Sequence, residues 1–511
     1  MELRDKIKKK IEELINNNYI LEAKQLLKEY SKIGLEEPSY YSFMGIINLI
    51  EGEIELAIKQ FEIGLTFDSQ DFDINYNLGI LYQDKEEYFK SIIYFKRALF
   101  QLDEGEERDT LQALIDRIEY KDYNENAIIQ MRIYKNQVKE YAKQQILNPD
   151  IDLCPTDYIK VKNPIEKEQI KIIYASIEIA NQMNTYASEF KKMGYQAYSL
   201  NYYPTYLKYD VDFFYDINEI DYDYLGFVDK VSYIISEFDV FHFFFNSTLF
   251  PGYLDLKIIK NLEKKMVMHN WGSDVRSSYE IAKKMSKYYE LQEIREQYFD
   301  FLNKEEMKDD LYKISNYIDV GLVFQLDEFV KDYYKEIYQV NLAIDIQKYR
   351  YIENVNNNKL KIVHAPTNQV FKGTKYIIEA AKKLQQKYDF EFILISGMKH
   401  EEAKKIYEEA DLIVDQIIAG GPGLFAHECM AMGKNVMCYI SDYFYDEYNH
   451  YYNQNNSLIS ANPDNIYEKL EDFILNRNKY NKTGFMGRTF VENNNDSHKV
   501  CITLLEIYKG L

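Results

Sequence analysis

The chain has 511 residues and a net charge of −21, with 46% hydrophobic and 28% charged residues. This composition is typical of globular proteins and predicts roughly two to four folded units rather than disorder. The negative charge argues against a nucleic-acid-binding protein, which needs a basic surface to neutralise phosphates.

The cysteines, the amino terminus and the most apolar run indicate a cytoplasmic protein. The four cysteines form no CxxC pair and no cluster with histidine, so neither a zinc site nor a disulfide framework is predicted. The amino terminus is charged and amphipathic, unlike a signal peptide. The most apolar run, 238–250, is too short to span a bilayer. We expect no metal and no cofactor, and we leave open a peripheral contact at the inner membrane face.

Residues 1–120 contain a repeat with a period of 34 residues. Gly45 and Gly79 are one period apart, as are Phe61 and Phe95. Small residues let paired helices approach each other, and aromatic residues fill the space between them. A degenerate earlier copy begins near residue 4, so about three repeats are expected, the smallest stack that buries a continuous core. The pattern resembles the tetratricopeptide repeat. It is compatible with a groove for a peptide or protein, and equally with a rigid spacer or an oligomerisation surface.

A helical linker is expected over 121–168, and beyond it short β-branched and aromatic runs alternate with charged helical stretches. This alternation predicts parallel, doubly wound sheets. The pattern restarts after residue 357, which predicts two Rossmann-like domains, 169–350 and 351–511, facing each other across a cleft. The last helix is expected to pack back on the first of them. The predicted strands are 170–174, 197–200, 240–245, 265–269 and 320–324, then 361–364, 391–396, 412–415 and 435–439.

A glycine-rich block, DQIIAGGPGLFAHECMAMGKNV, occupies residues 415–436. A strand ends at its start, and a loop containing Gly420, Gly421 and Gly423 then opens a helix at Leu424. Such a loop lets backbone N–H groups approach a phosphate, and the helix dipole favours the negative charge there. Glu428, on the first turns of that helix, is placed to accept two hydroxyl hydrogen bonds, as from a ribose. The alternative is a structural turn followed by an acid that the dipole stabilises.

A second block, HAPTNQVFKGTKYIIEAAKKL, starts at the end of a strand and includes Thr367, Asn368, Lys372 and Gly373. Carboxyl ends of parallel strands meet at one edge of a sheet, so Lys372 is expected beside the same crevice as the glycine-rich loop. A lysine there can neutralise a leaving diphosphate. The alternative is a solvated surface lysine.

These two blocks resemble glycosyltransferase family 4, and the resemblance extends to FDVFHFFF at 238–245, HNWGSDVR at 269–276 and LAIDIQKY at 342–349. It covers roughly residues 170–511. It implies an α/β fold of the GT-B type, with two Rossmann-like domains facing a cleft, here preceded by an all-α tetratricopeptide-repeat solenoid. It also implies a retaining hexosyltransferase that needs no bound metal and uses a nucleotide-activated sugar, either UDP- or GDP-linked.

The resemblance assigns roles residue by residue. Lys372 matches the lysine that contacts the donor diphosphate, and Glu428 matches the glutamate that holds the ribose. Gly423 and Leu424 match backbone positions at the phosphate. The sequence departs from the family at two places. Gly420 stands where a glutamate usually contacts the transferred sugar, and a branch of the family with a DQ…G..G pattern also lacks this glutamate. Residues 367–369 stand where the family usually has an arginine.

The first Rossmann-like half contributes further candidates. His269 and Asp274 are candidate catalytic residues that would orient the acceptor hydroxyl or the sugar. Arg276 is a candidate to meet an anion, or else to form an ion pair with Asp274 that fixes the loop. Trp271 is placed to stack on a sugar ring or to pack internally. Asn181, in the loop after the first strand, is a candidate for binding a substrate hydroxyl.

The expected function is transfer of a sugar to a protein, peptide or cell-surface glycan acceptor. The alternative is a non-catalytic partner that scaffolds an active transferase through its repeats. The repeats are also a candidate surface for binding a protein partner or for forming a homo-oligomer.

Overall fold

The computed structural model describes residues 2–34, 36–165, 170–203, 209–276, 278–300, 304–353, 359–398, 400–444, 446 and 458–511. The chain divides into two compact units. One is Met1–Glu168 together with Asp210–Glu237, and the other is Gln169–Tyr209 together with Phe238–Leu511. The first unit is almost entirely helical, and the second contains two parallel sheets.

The first unit is a succession of helices in which sequence neighbours pack against each other. Its elements are α1 (Glu2–Asn16), α2 (Ile20–Gly34), α3 (Pro38–Ile50), α4 (Ile54–Leu65), α5 (Phe72–Asp84), α6 (Tyr88–Gln101), α7 (Glu106–Glu119), α8 (Glu125–Leu147), α9 (Pro155–Tyr158), the short strand β3 (Phe213–Phe214), a 3₁₀ turn at Ile217–Asp221 and α11 (Tyr224–Glu237).

The 34-residue period of the sequence corresponds to one pair of helices. The pair α3–α4 and the pair α5–α6 begin at positions 38 and 72. Gly45 lies against the ring of Phe61, and Gly79 lies against the ring of Phe95, so closely that a Cβ would overlap the ring. Both rings are fully buried, which stabilises each pair by roughly 1.5–3 kcal/mol per aromatic side chain.

The segment Asp210–Glu237, which the sequence pattern assigns to the first Rossmann-like domain, groups with the helical unit. Its helix α11 packs along α8. Lys135 on α8 pairs with Glu237 on α11 at 2.8 Å. Arg108 on α7 pairs with Asp229 on α11 at 3.2 Å. Buried ion pairs of this kind restrict which faces of the helices can meet, because a lost partner would leave a charge uncompensated.

The second unit begins with a parallel sheet whose central strands, such as β1 and β4, are buried on both faces, as their continuous apolar runs require. Six of its strands lie in the order β2-β1-β4-β5-β6-β7. They are β1 (Ile172–Ser176), β2 (Ala197–Asn201), β4 (Val240–Phe244), β5 (Lys265–Asn270), β6 (Val320–Val323) and β7 (Ile337–Gln339). The accompanying helices are α10 (Gln182–Lys192), α12 (Leu254–Asn261), α13 (Tyr279–Met285), α14 (Gln292–Arg295), α15 (Lys304–Ser315) and α16 (Asp327–Val330), with short 3₁₀ or π turns at Pro251–Tyr253, Lys287–Glu290, Glu296–Asp300 and Ile346–Lys348.

A second parallel sheet follows in the order β12-β11-β10-β8-β9. Its strands are β8 (Lys361–His364), β9 (Glu391–Leu394), β10 (Leu412–Val414), β11 (Asn435–Cys438) and β12 (Ile459–Ser460). The helices are α17 (Gln369–Lys372), α18 (Thr374–Gln385), α19 (His400–Glu409), α20 (Leu424–Ala431), α21 (Ile466–Leu475), α22 (Thr483–Asn494) and α23 (Ser497–Gly510), with a 3₁₀ turn at Arg477–Tyr480. Strands β8 and β10 are adjacent, so the loops that leave their carboxyl ends are neighbours.

Two chain segments run side by side between the sheets. The backbone N–H of Ile344 donates to the carbonyl of Asn495 at 2.7 Å. The buried Asn495 side chain donates to the carbonyl of Leu342 at 2.9 Å. The side-chain amide of Gln182 pairs with the backbone of Ala343 in both directions, at 2.8 and 3.0 Å. Beyond this crossing, α23 packs into the core of the first sheet.

The prediction of a parallel α/β region is confirmed by both sheets. The amino-terminal region is helical, as expected. No helix among the described residues is long and apolar enough to cross a membrane.

Candidate functional site

Lys372 is held by local structure at the end of β8. The Asn368 side chain accepts a hydrogen bond from the backbone N–H of Phe371 at 2.9 Å and so caps the short helix α17. The helix ends at Gly373, which has a φ of 75°. A Cβ at this glycine would lie 2.6 Å from Cγ1 of Ile417, so only glycine lets this turn pack against the neighbouring loop.

The ammonium of Lys372 pairs with a buried carboxylate on the neighbouring strand end. Its Nζ lies 2.6 Å from Oδ1 of Asp415. The side chains are 12% and 1% exposed, respectively. Oδ2 of Asp415 is buried and has no hydrogen-bond partner within the described residues. Lys372 is therefore neither a mobile nor a fully solvated cation but is anchored beside the glycine-rich loop.

The glycine-rich loop is fixed by hydrogen bonds from side chains. The Gln416 amide donates to the carbonyl of Gly421. The carbonyl of Gly420 accepts from the backbone N–H and the hydroxyl of Ser441, at 3.0 and 3.1 Å. Gly423 then caps α20, and the position of a Cβ on it would be 3.8 Å from Nζ of Lys372. The lysine and the amino-terminal end of α20 thus lie together, and both favour an anion.

Glu428 receives a hydrogen bond from a tyrosine far away in the sequence. The hydroxyl of Tyr349 donates to Oε1 of Glu428 at 2.7 Å. Burial and the neighbouring carboxylate both raise the pKa of Tyr349, so its hydroxyl remains a donor. Tyr349 therefore fixes the rotamer of Glu428.

Gly420 lies in a position that a larger residue could not occupy. Its φ is 89°, and a Cβ would lie 2.7 Å from the carbonyl oxygen of Met285 and 3.2 Å from Cβ of Ser286. Ser286 also donates from its hydroxyl to the carbonyl of Ile418 at 2.5 Å. Met285 at the end of α13 and Ser286 directly after it thus fill the space in which a glutamate at 420 would extend.

A cavity of about 380 Å³ opens beside these groups. Its lining combines the charged side chains of Lys372 and Glu428 with apolar side chains such as Ile395, Met398 and Tyr407. The lining residues Ile395–Met398 were not predicted from the sequence, although they follow the end of β9 just as the other loops follow their strands. The lining residues are Ala180, Tyr209, Ala365, Pro366, Thr367, Lys372, Ile395, Ser396, Gly397, Met398, Ala403, Tyr407, Leu424, Phe425 and Glu428.

Asp274 is committed to its own loop. Its carboxylate accepts from the side chain of Asn270 at 2.9 Å, from the N–H of Trp271 at 3.0 Å and from the N–H of Gly272 at 2.6 Å. Burial raises the pKa of this carboxyl above its ordinary value, and these hydrogen bonds offset only part of that rise. Asp274 therefore holds its own loop in shape through these hydrogen bonds. It does not form an ion pair with Arg276.

His269 is buried beneath that loop. Its ring nitrogen Nδ1 lies 3.3 Å from Nε2 of His242, and the other ring nitrogen of His242, Nδ1, lies 2.6 Å from the hydroxyl of Tyr508. Its ring also packs on Trp271, with ring centroids 4.5 Å apart. Burial lowers the pKa of His269 to about 3, so the ring is neutral. His269 and Trp271 are not among the residues that line the cavity.

The loop after β1 has a left-handed backbone at two non-glycine residues, Ala180 (φ 53°) and Asn181 (φ 59°). Such conformations cost about 1–3 kcal/mol each and are concentrated at functional sites. The loop is stabilised by Glu178, whose carboxylate accepts from the N–H groups of Met183 and Asn184 at 3.2 and 3.0 Å. Burial raises the pKa of Glu178 to about 8. The loop brings Ala180 to the cavity, whereas the side chain of Asn181 accepts from Asn184 at 3.3 Å.

The structure therefore brings most of the predicted donor-side residues together. Lys372, Glu428, Thr367 and Leu424 line one cavity, and Gly423 adjoins Lys372. Within the described ranges, no group of three or more His, Cys, Asp or Glu side chains is arranged to hold a metal ion.

No family model matches the sequence, and no curated protein matches it at a significant level. Among solved structures, sucrose-phosphate synthase from Thermosynechococcus elongatus matches with 11% identity over 66% of this chain and 98% of that chain, at a TM-score of 0.47. HepE from Anabaena, solved in complex with UDP and glucose, matches with 11% identity over 67% of this chain and 100% of that chain, at a TM-score of 0.48. The O-GlcNAc transferase of Thermobaculum terrenum matches with 11% identity over 99% of this chain and 96% of that chain, at a TM-score of 0.38. Likenesses of this strength do not assign a function to the chain.

Proposed function

We propose that the second unit binds a nucleoside diphosphate sugar in the 380 Å³ cavity and transfers the sugar to an acceptor, as a GT-B glycosyltransferase. The observation that carries the proposal is the combination of groups that line this cavity. Apolar side chains, the carboxylate of Glu428 and the ammonium of Lys372 line it together, and the ammonium lies beside the amino-terminal end of α20. A base, a ribose and a diphosphate need these three kinds of group, respectively.

The roles of the donor-side residues follow from the chemistry of these groups. Ile395, Met398 and Tyr407 are apolar lining residues and suit a planar base. Glu428, fixed by Tyr349, accepts hydrogen bonds from the ribose hydroxyls. Lys372 and the N–H groups that open α20 stabilise the charge that develops on the leaving diphosphate.

The first half of the unit closes the cavity and supplies the acceptor side. Ala180 reaches the cavity from this half. We assign Asp274 the role of holding the 269–276 loop in shape, and we assign His269 the role of supporting it from the core. The retaining outcome is part of the proposal and rests on the resemblance to family 4. The helical unit, with its tetratricopeptide-like repeats, would present a protein or peptide acceptor.

One observation favours a second candidate function. The place of a sugar-contacting glutamate is taken by Gly420, and Met285 and Ser286 fill the space beside it. A protein that binds the nucleotide without transferring the sugar would tolerate this arrangement. The alternative is therefore a nucleotide-binding partner that scaffolds an active transferase through its helical unit.

The experiment that tests the proposal uses the full-length protein and a panel of UDP- and GDP-sugars. A thermal-shift screen identifies binding, and release of nucleoside diphosphate with and without candidate acceptors measures turnover. We expect Lys372→Ala to lower turnover by orders of magnitude. Lys375→Ala, which removes a nearby surface lysine paired with Glu293, should leave turnover unchanged. Binding without turnover would support the scaffold function, and the absence of both would overturn the proposal.

A further inference from the structure

Arg276 ends the HNWGSDVR loop, and its guanidinium lies where the two halves of the second unit meet. The guanidinium is stacked on the backbone of Gly272, where a Cβ would lie 2.8 Å from Nη1. The ring of Phe371 is also close, with Cζ of the arginine 5.7 Å from the ring centroid. Phe371 directly precedes Lys372 in α17. The arginine is thus held in place at the lysine's own helix.

No carboxylate neutralises this arginine within the described ranges. Asp274, the acid nearest in sequence, uses both oxygens to accept from Asn270 and from the N–H groups of its own loop. Nε of Arg276 is buried and has no hydrogen-bond acceptor among the described residues. A guanidinium held in this way has N–H donors to offer to the oxygens of a carboxylate or a phosphate.

Three lysines around the meeting of the halves are each paired with a carboxylate. Lys372 pairs with Asp415 at 2.6 Å. Lys375 and Lys287 pair with Glu293 and Asp464 at 2.6 and 2.7 Å, respectively. A nucleoside diphosphate carries a negative charge on each phosphate, so a Lys372 already paired with an acid does not balance it. A second, unpaired cation is needed to offset the desolvation of that charge.

We propose that Arg276 is this second cation and binds the diphosphate of the donor from the opposite half. The inference rests on the proposed nucleotide-sugar function and adds a donor-binding residue to it. Because Lys372 and Arg276 belong to different halves, the diphosphate would link the halves when it binds. The fork of the guanidinium would contact non-bridging oxygens of the diphosphate, whereas Lys372 acts as a point charge.

The test compares each nucleoside diphosphate with the nucleoside that lacks its two phosphates. Binding of UDP, uridine, GDP and guanosine to the full-length protein is measured by calorimetry for the wild type, Arg276→Gln and Arg276→Lys. Arg295→Gln is the matched control, because Arg295 also stacks on an aromatic ring, that of Tyr279, in the same half.

We expect Arg276→Gln to weaken binding of the diphosphate by about tenfold to a hundredfold, the range for one hydrogen bond to a charged group, and to leave nucleoside binding unchanged. Arg276→Lys should recover part of the loss, and Arg295→Gln should bind as the wild type does. An equal loss for nucleoside and diphosphate, or no loss for either, would overturn the role of Arg276 while leaving the proposed function in place. A wild-type protein that binds neither diphosphate would overturn both.

Discussion

Lys372 and Asp415 form a short ion pair between the loops of two adjacent strands, and the carboxylate is almost completely buried. The pair has two consequences. It places the ammonium next to Gly423 and the start of α20. It also makes the lysine a structural partner of the carboxylate, so that removing the lysine leaves a buried charge uncompensated.

Lys372→Met should therefore lower stability as well as activity. Breaking a buried pair from one side typically costs about 3–5 kcal/mol. The double variant Lys372→Met/Asp415→Asn removes both charges and should recover most of that free energy of unfolding, while donor binding stays weak. Urea denaturation of both single variants and of the double variant measures the coupling. Additive losses in the double variant would show that the pair does not stabilise the fold.

Glu428 should contribute to donor binding by accepting hydrogen bonds from the ribose, and Tyr349 should contribute by orienting Glu428. Glu428→Gln replaces a charged acceptor and should weaken binding of a nucleoside diphosphate by about tenfold. Tyr349→Phe removes only the hydrogen bond that orients the carboxylate and should cause a smaller loss.

A 2′,3′-dideoxynucleoside diphosphate is the control ligand for this pair of variants. It lacks both hydroxyls that Glu428 is proposed to hold. Wild type and Glu428→Gln should bind it with the same affinity, as titration calorimetry would show. If the variant bound the dideoxy ligand more weakly than the wild type, Glu428 would contact some other part of the nucleotide.

The approach of Lys372 to the glycine-rich loop was predictable from the sequence. Two apolar runs, each followed by a loop and a helix, predict parallel strands, and parallel strands bring their carboxyl ends to one edge. The chemistry of the loops then follows from residue type, since glycine permits close approach and lysine supplies charge.

The partners of these groups were not predictable, because they come from distant parts of the chain. Tyr349 meets Glu428 across 79 residues, and Ser286 meets Ile418 across 132. The spacing of apolar residues along the chain does not predict such contacts, because they depend on how the two halves pack. The burial of His269 has the same origin. Its position at the end of β5 is that of a catalytic residue, but its ring packs with those of His242 and Trp271.

Gly420 should be required by both backbone conformation and space, and a matched glycine separates the two effects. Gly420 and Gly194 have nearly equal φ values, 89° and 88°, but only Gly420 has atoms within 4 Å of a Cβ position. Gly194→Ala should cost only the conformational strain, about 1 kcal/mol. Gly420→Ala should cost more, because the methyl group meets the carbonyl of Met285.

Thermal and urea unfolding of the two alanine variants measures this difference. Equal losses of stability would mean that the 285–286 segment moves away from Gly420 at no cost. In that case the space beside Gly420 would be available to a sugar, and the argument for a non-catalytic partner would lose its support.

His364 should make the protein less stable in acid. Its ring donates from Nδ1 to the carbonyl of Val414 at 2.8 Å and accepts at Nε2 from the hydroxyl of Thr374 at 2.8 Å. This arrangement needs the neutral ring, and burial lowers the pKa of His364 to about 4 from its ordinary value near 6.5. Between these two values the unfolded chain binds a proton that the folded chain does not, so the free energy of unfolding falls as the pH falls.

The loss of stability attributable to His364 is about 3 kcal/mol once the pH has fallen to the folded-state pKa, since lowering a pKa by one corresponds to about 1.4 kcal/mol. His364→Gln can keep a donor toward Val414 and an acceptor toward Thr374 without titrating. Its unfolding free energy should therefore fall less than that of the wild type between pH 7 and pH 4. Urea denaturation at closely spaced pH values measures the two curves, and parallel curves would show that His364 does not cause the acid sensitivity.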